Sequence, residues 1–132
     1  MINVKVGGNK DIVCGIIYDK YGNIIMGKRK QGFDHEGKWE FPGGKLEVGE
    51  SYEECLIREW KEEFNLPIII EKYLITNVEE GLTCHFMVGK LIYKKVFDFD
   101  MYAHDQIGLF HPKEIQLLNL FENDRILLPL IK

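Results

Sequence analysis

The sequence lacks a long hydrophobic run, because Lys, Glu, Asp or Gly interrupts every apolar stretch. A membrane-spanning helix needs about 20 consecutive apolar residues, so no membrane segment is expected. The N-terminus, MINVKV, also lacks the basic segment, apolar core and small-residue cleavage site of a signal peptide. We therefore expect a cytoplasmic protein with no membrane partner.

Cysteine and basic charge are also in short supply. The three cysteines, Cys14, Cys55 and Cys84, are odd in number and lie in apolar contexts, which is typical of buried thiols rather than a disulfide framework. The net charge of −4 lacks the basic excess on which affinity for nucleic acid depends. Duplex nucleic acid is therefore not an expected partner, although a metal ion or a local basic pair could still attract a small anion.

What the sequence does contain fits one globular domain spanning residues 1–132, long enough for a single core and without repeats or linkers. Strands are predicted over residues 11–18, 23–29, 39–41, 66–75, 83–94 and 107–110; the first two form a hairpin, and Pro42-Gly43-Gly44 ends the third. Ser51 with Glu54 predicts a capping box at the start of a helix over residues 51–64. Further helices are predicted after His111 and over 123–131, where Pro129 weakens the pattern. This order predicts an α/β (α+β) fold, in which a mixed sheet is flanked by helices.

The helix predicted over residues 51–64 has an unusual charge distribution. At about 100° per residue, its apolar stripe consists of Leu56, Ile57, Trp60 and Phe64. Glu59, Glu62 and Glu63 crowd one arc beside this stripe, where their charges repel unless a cation neutralises them. A hard divalent ion, Mg²⁺ or Mn²⁺, would suit such oxygen ligands. The alternative is a solvated helical face, the usual fate of a charge run.

The residues before this helix favour the metal interpretation. Gly43 and Gly44 permit backbone geometry that is closed to other residues, and they would let a carbonyl approach a metal. The loop that follows brings Glu47 and Glu50 back towards the helix. Arg58 can pair with these loop acids and fix the loop–helix–loop unit. The alternative for Arg58 is a surface ion pair with the acid one turn earlier in the helix.

These residues resemble the signature of the Nudix hydrolases, G-x5-E-x7-R-E-U-x-E-E-x-G-U, where U is a bulky aliphatic residue. The matching positions within residues 44–66 are Gly44, Glu50, Arg58, Glu59, Trp60, Glu62, Glu63 and Leu66. Asn65 replaces the Gly of the pattern, and Asn tolerates a left-handed helix cap. Trp60 replaces a smaller aliphatic residue and should alter packing beneath the helix. The segment KWEFPGGK before the signature is similar to the MutT-like branch.

The resemblance implies an α/β/α sandwich with a loop–helix–loop catalytic motif. It also implies hydrolysis of a nucleoside triphosphate to the monophosphate and pyrophosphate, with Mg²⁺ as cofactor and Mn²⁺ as a substitute. 8-oxo-dGTP and cytosine nucleotides are candidate substrates. Other phosphoanhydrides, such as ADP-ribose or a dinucleoside polyphosphate, remain an alternative, as does a Nudix module that binds without catalysis. A monomer or small homo-oligomer is expected.

Site residues are carried over by position. The expected metal ligands are the Gly43 carbonyl, Glu59, Glu62 and Glu63. The expected catalytic residues are these three glutamates with Arg58, and Glu59 is the position assigned to water activation. The expected substrate contacts are Arg29 and Lys28 for phosphate and Asn123 and Asp124 for the base. Gly44, Glu47 and Glu50 have structural roles in the motif. For Asn123, an N-cap is the simpler alternative.

One departure from the family concerns a further acid before the last strand. At the corresponding position stands Ala103, which cannot bind metal. Asp105 or Asp100 is our hypothesis for a replacement. Asp98 and His104 are the other candidates, and all of them could be ordinary loop residues.

Overall fold

The computed structural model of the protein describes residues 10–79, 81–92 and 104–131. The strands are β1 Lys10–Tyr18, β2 Ile24–Arg29, β3 Trp39–Glu40, β4 Gly43–Lys45, β5 Ile68–Glu79, β6 Leu82–Leu91 and β7 His104–Phe110. The helix α1 is Tyr52–Phe64, and two 3₁₀ helices, Pro112–Leu117 and Glu122–Leu130, follow β7. Within these ranges, no helix has the length and apolar character needed to cross a bilayer.

The sheet is mixed, and β1 is the strand on which it divides. Along one edge, β1 runs parallel to β6, from Lys10 opposite Leu82 to Tyr18 opposite Lys90. The other edge of β1 is shared: β4 pairs with it at residues 12–14, and β2 pairs with it only at Tyr18. The strand β2 continues outward to β3 and β7, and β5 closes the far edge beside β6. The sheet therefore forks between β4 and β2.

Each face of the sheet carries its own hydrophobic cluster. The cluster under α1 contains Val13, Ile17, Ile25, Cys55, Leu56, Trp60, Phe64, Leu66, Ile68 and Met87. The cluster under the 3₁₀ helices contains Cys14, Ile16, Ile24, Met26, Phe41, Cys84, Phe86, Ile115, Leu120 and Leu127. Alternate residues of the same strands supply both clusters, as expected for a sheet covered on its two faces. The predicted mixed sheet flanked by helices is confirmed.

The helix α1 begins and ends as predicted. The Ser51 hydroxyl accepts the Glu54 amide at 3.0 Å and the Glu54 carboxylate accepts the Ser51 amide at 2.9 Å, which completes the capping box. At the other end, Asn65 adopts the left-handed conformation, with φ 54°. The core-facing stripe was wrong at one position: Ile57 is 41% exposed, whereas Cys55 is fully buried. The buried face is thus rotated by about one position from the predicted one.

The segment around the two glycines differs from the prediction. We expected Pro42-Gly43-Gly44 to end a strand, but Gly43–Lys45 forms a strand of its own, β4, against β1. A Cβ on Gly43 would lie 1.8 Å from the Val13 carbonyl oxygen, so only glycine lets the two backbones come this close. Trp60 secures the same segment, because its indole N–H donates to the Pro42 carbonyl at 2.9 Å.

The remaining predicted strands and helices lie near their observed positions, but some differ in length or in helix type. The predicted strand over 66–75 is one longer strand, β5. The two C-terminal helices are 3₁₀ helices, and the second contains Pro129, which offers no N–H for a helical ladder. All three cysteines are free and buried, as predicted. The acidic stretch 98–103 and residues 93–94 of the predicted long strand lie outside the described residues.

Candidate active site

Arg58 organises the loop that precedes α1. Its guanidinium donates to both carboxylate oxygens of Glu50 and to the Lys45 carbonyl, the latter at 3.1 Å. Hydrogen bonding to Arg58 lowers the pKa of Glu50 to about 2. Glu50 also accepts the amide of Glu47, whose own carboxylate is 3.8 Å from Arg58 and mostly exposed. Arg58 therefore pairs with the loop acids rather than with Glu54, which is held in the capping box.

Glu59 lies against the backbone of Gly44. A Cβ on Gly44 would lie 2.1 Å from the Glu59 carboxyl carbon, so the absence of a side chain makes room for this carboxylate. Burial raises the pKa of Glu59, the Arg58 hydrogen bond opposes that shift, and the Glu62 and Glu63 charges add to it. Gly44 is thus needed for close approach, and its φ is not in the left-handed region.

A buried histidine links Glu63 of α1 to Glu40, which lines the cleft. The His104 imidazole, 3% exposed, lies 3.1 Å from Glu63 Oε2 through Nδ1 and 2.7 Å from Glu40 Oε2 through Nε2. Glu40 Oε2 is in turn 3.4 Å from Arg29 Nη1. Burial lowers the pKa of His104, but the hydrogen bonds to Glu40 and Glu63 outweigh burial and raise it.

The expected metal ligands have the right chemistry but are bound to different partners. Glu59, Glu62 and Glu63 offer only oxygen donors, which suit a hard divalent cation in chemistry. Their mutual effect on the Glu59 pKa is the repulsion that a cation would offset. In the part of the chain that the structure describes, however, no three acidic, His or Cys side chains converge closely enough to hold a metal. Glu62 contacts Arg58 at 3.1 Å, and Glu63 contacts His104.

A cleft of about 610 Å³ opens in the fork of the sheet, within the size range of small-molecule sites. Its acidic end is formed by Gly43, Gly44, Glu47 and Glu59. Its basic residues are Lys10, Arg29 and Lys45. Its inner end is formed by Cys14, Phe41, Leu82, Cys84, Phe121 and Asp124, with His35 at the side. One cleft therefore joins carboxylates, cations and an apolar pocket.

Asp124 is the polar group of the inner end. The side chain is 1% exposed, and its Oδ2 accepts the Phe41 amide at 2.7 Å. Its Oδ1 is buried and has no hydrogen-bond partner among the residues that the structure describes. Burial and the nearby Glu40 charge raise the pKa of Asp124 well above its usual range. The unpartnered Oδ1 therefore offers a hydrogen-bonding atom to a ligand that enters the cleft.

Asn123 and Lys28 occupy different places from those expected of substrate contacts. The Asn123 amide donates to Cys84 Sγ at 3.4 Å inside the core, and Asn123 does not line the cleft. The N-cap alternative for Asn123 was wrong, because Phe121 is the N-cap and forms no side-chain cap. Lys28 lies on β2 next to Arg29 but is not among the cleft-lining residues, whereas Arg29 is.

The side chains of the acidic candidates for the further family acid lie outside the described part of the structure. Asp98, Asp100 and Ala103 lie outside the described residues, and only the backbone of Asp105 is described, within β7. His104 points inward to Glu63 and Glu40. The hypothesis that Asp105 or Asp100 replaces the family acid stays a prediction.

Several cleft residues carry no signal in the sequence. Phe121 and His35 pack edge to face, with ring centroids 4.5 Å apart, although they are far apart in the chain. Phe41 lines the cleft and is itself buried. Glu40 lies in a predicted strand with nothing in its local sequence that marks it as a cleft residue. Only the fork of the sheet brings these side chains together.

Comparison with known proteins agrees with this geometry. A family model described as the NUDIX domain matches residues 8–88. An 8-oxo-dGTP diphosphatase of Proteus vulgaris is 42% identical over 57 residues, which are 43% of this chain and 51% of that protein. A CTP pyrophosphohydrolase of Escherichia coli strain K12 is 34% identical over 70 residues, 53% of this chain and 51% of that protein. The chain thus spans about half the length of these relatives.

The fold has close counterparts among solved structures. The crystal structure of a MutT protein from Methanosarcina mazei Go1 superposes with a TM-score of 0.76, covering 92% of this chain and 91% of that one. The sequence identity in this superposition is 20%, so the likeness concerns the fold.

Proposed function

This chain belongs to the Nudix family, and we propose that it hydrolyses a nucleoside triphosphate to the monophosphate and pyrophosphate with Mg²⁺ as cofactor. The observation that carries this proposal is the single cleft in the fork of the sheet. The cleft is lined by carboxylates, by cations, by apolar side chains and by the buried Asp124. A triphosphate joined to a base offers anionic groups and an apolar ring to match these residues.

The acidic end supplies the chemistry. The Gly43 carbonyl, Glu59, Glu62 and Glu63 offer the oxygen donors that would hold the metal, although the three carboxylates do not converge on one point in the described part of the chain. The metal would neutralise phosphate charge and lower the pKa of bound water. Glu59 is the residue we assign to orienting the attacking water or taking its proton, because it lies half-buried against Gly44. Arg58 holds the loop against α1 by its hydrogen bonds to Glu50. Gly44, Glu47 and Glu50 thereby serve the site without touching substrate.

The rest of the cleft binds the substrate. Arg29 is the phosphate contact that the cleft favours over Lys28, since only Arg29 lines it. At the inner end, Asp124 is the base contact in preference to Asn123, whose amide is bound to Cys84. Phe121 and His35 provide aromatic surface on which a base could stack. The names of the relatives make 8-oxo-dGTP and CTP the first compounds to test.

Product analysis tests the proposal directly. The purified protein is incubated with 8-oxo-dGTP, dGTP, CTP, dCTP, ADP-ribose and a dinucleoside tetraphosphate, with Mg²⁺ or with a chelator, and products are separated by chromatography. Release of a monophosphate and pyrophosphate from a triphosphate, abolished by the chelator, is the expected result. Turnover of ADP-ribose or of the tetraphosphate alone would replace the triphosphate assignment. Binding without turnover of any compound would contradict catalysis.

A further inference from the structure

His104 is a buried polar residue to which the proposed reaction assigns no role. It lies at the start of β7, on the face of the sheet covered by α1, where Phe64 packs beside its ring at 5.7 Å between centroids. Both ring nitrogens have partners, and both partners are carboxylates. Burying a polar ring between two acids requires both hydrogen bonds, because a buried polar group without a partner is destabilising.

Of the two acids, Glu40 lines the cleft and Glu63 does not. Glu63 is in the last turn of α1 and is an expected metal ligand, and its side chain is 15% exposed. Glu40 lines the cleft from β3 and contacts Arg29, the expected phosphate contact. The order Glu63–His104–Glu40–Arg29 is therefore a continuous hydrogen-bonded chain from α1 to β2.

The backbone beneath the His104 imidazole leaves room for the ring because residue 27 is glycine. Gly27 of β2 lies under His104, and a Cβ there would lie 2.7 Å from His104 Cδ2 and 3.0 Å from Nε2. Any side chain at residue 27 would displace the imidazole from one or both acids. The glycine thus fixes the distance at which the ring can bridge Glu40 and Glu63.

We propose that His104 is a positioning residue that holds Glu63 for the metal and, through Glu40, holds Arg29 for the phosphate chain. This inference rests on the proposed function, because it assigns His104 a role in the same cleft. Hydrogen-bonding partners of metal ligands orient those ligands, and their removal typically lowers metal affinity about 10- to 100-fold. His104 itself does not touch the substrate.

Two amide substitutions separate the two hydrogen bonds. In His104→Asn, the side-chain amide reaches the place of Nδ1 and can still donate to Glu63. In His104→Gln, the longer side chain reaches the place of Nε2 and can still donate to Glu40. His104→Leu keeps the apolar packing and loses both bonds. Mn²⁺ affinity, followed by electron paramagnetic resonance without nucleotide, reports on Glu63. Affinity for inorganic tripolyphosphate in the presence of a chelator, followed by calorimetry, reports on Arg29.

We expect each amide variant to weaken one of the two affinities and to preserve the other. His104→Gln should weaken Mn²⁺ binding by about 10-fold or more and leave tripolyphosphate binding within about twofold, and His104→Asn should do the reverse. His104→Leu should weaken both. Gly27→Ala, which keeps every polar atom, should also weaken both by displacing the ring.

His85 provides the matched control. It is another buried histidine of this sheet, with Nε2 2.9 Å from Asp11 and Nδ1 2.7 Å from Tyr73, and it does not line the cleft. His85→Asn, His85→Gln and His85→Leu should lower the melting temperature comparably without changing either affinity.

Three outcomes would overturn the inference. If the His104 variants bind Mn²⁺ and tripolyphosphate as the wild type does, His104 positions neither group. If Asn and Gln weaken both affinities equally, or if the His85 variants do the same, His104 only supports the fold. If the wild type binds neither probe, the proposed function itself fails and this inference falls with it.

Discussion

The two ends of the cleft are built in opposite ways. The acidic end comes from one stretch of chain, residues 43–63, and its charges are held by partly accessible ion pairs around Arg58. The inner end is assembled from distant segments, since Asp124 meets the Phe41 amide across 83 positions of sequence, and its carboxyl group is fully buried. Exposed charges cost little to place, whereas a buried carboxyl group is held only by the packing around it.

The difference has a consequence for mutagenesis. Changes at the acidic end should affect turnover more than stability, because the side chains there are arranged for chemistry at the edge of the core. Changes at the inner end should affect stability and its dependence on pH as well as binding, because Asp124 is part of the core. The following substitutions test this contrast, in order of decreasing expected effect.

Glu59→Gln should have the largest effect on turnover. Replacing the carboxylate removes the group assigned to the attacking water, and such groups contribute about 10²- to 10⁴-fold to rates. The hydrolysis rate should fall by at least about 100-fold, while the melting temperature stays within a few degrees. Glu53→Gln, an exposed acid in the first turn of the same helix, is the control and should leave the rate unchanged. Equal losses in the two variants would contradict the assignment.

Gly44→Ala should lower turnover without unfolding the protein. The new Cβ would occupy the space of the Glu59 carboxylate, which can swing away because it is the end of a flexible side chain. A displacement of about 1 Å can cost about 100-fold in rate. Gly43→Ala is the informative partner, because its Cβ would meet the rigid Val13 carbonyl. Denaturant unfolding should show a loss of about 1–3 kcal/mol for Gly43→Ala and much less for Gly44→Ala. Equal stability losses would refute this distinction.

Asp124→Asn should change how stability depends on pH. The raised pKa means that folded Asp124 keeps its proton at pH values where the unfolded chain, with a pKa near 3.8, has lost it. The free energy of unfolding contributed by this group therefore falls as pH rises above 3.8. Urea unfolding between about pH 5 and 8 should show a flatter slope in Asp124→Asn than in the wild type. Asp34→Asn, an exposed acid of the same cleft, should keep the wild-type slope.

Glu50→Gln should have the smallest effect: its loss of stability relative to the wild type should be present above pH 4.5 and disappear in acid. Glu50 has a pKa of about 2 in the folded protein against 4.5 for an unperturbed glutamate, so its stabilising pair with Arg58 is present above pH 4.5. This contribution is lost as the pH falls from 4.5 towards 2. Thermal melts across that range should show a smaller loss of stability in Glu50→Gln than in the wild type. An identical acid dependence would show that the pair does not stabilise the loop.

Local patterns in the chain predicted much of the fold. Ser51 and Glu54 marked the start of α1, and Asn65 marked its end, because caps depend on neighbouring residues alone. Two β-rich runs on either side of residues 19–22 predicted the antiparallel pair β1 and β2. The sequence did not predict which face of α1 is buried, because that depends on how the helix packs on the sheet. Nor did it predict the strand β4, which depends on the close approach of Gly43 to β1.

The sequence by itself determined the loop–helix–loop unit, because Gly44, Arg58 and the three glutamates of α1 lie within one loop and one helix, where spacing fixes geometry. Tertiary structure alone decided the rest. It placed Asp124 and Arg29, but not Asn123 or Lys28, along the cleft, and it placed His104 between Glu40 and Glu63. Such contacts join strands far apart in the chain, and their partners are chosen by how the sheet forks and packs rather than by any local pattern.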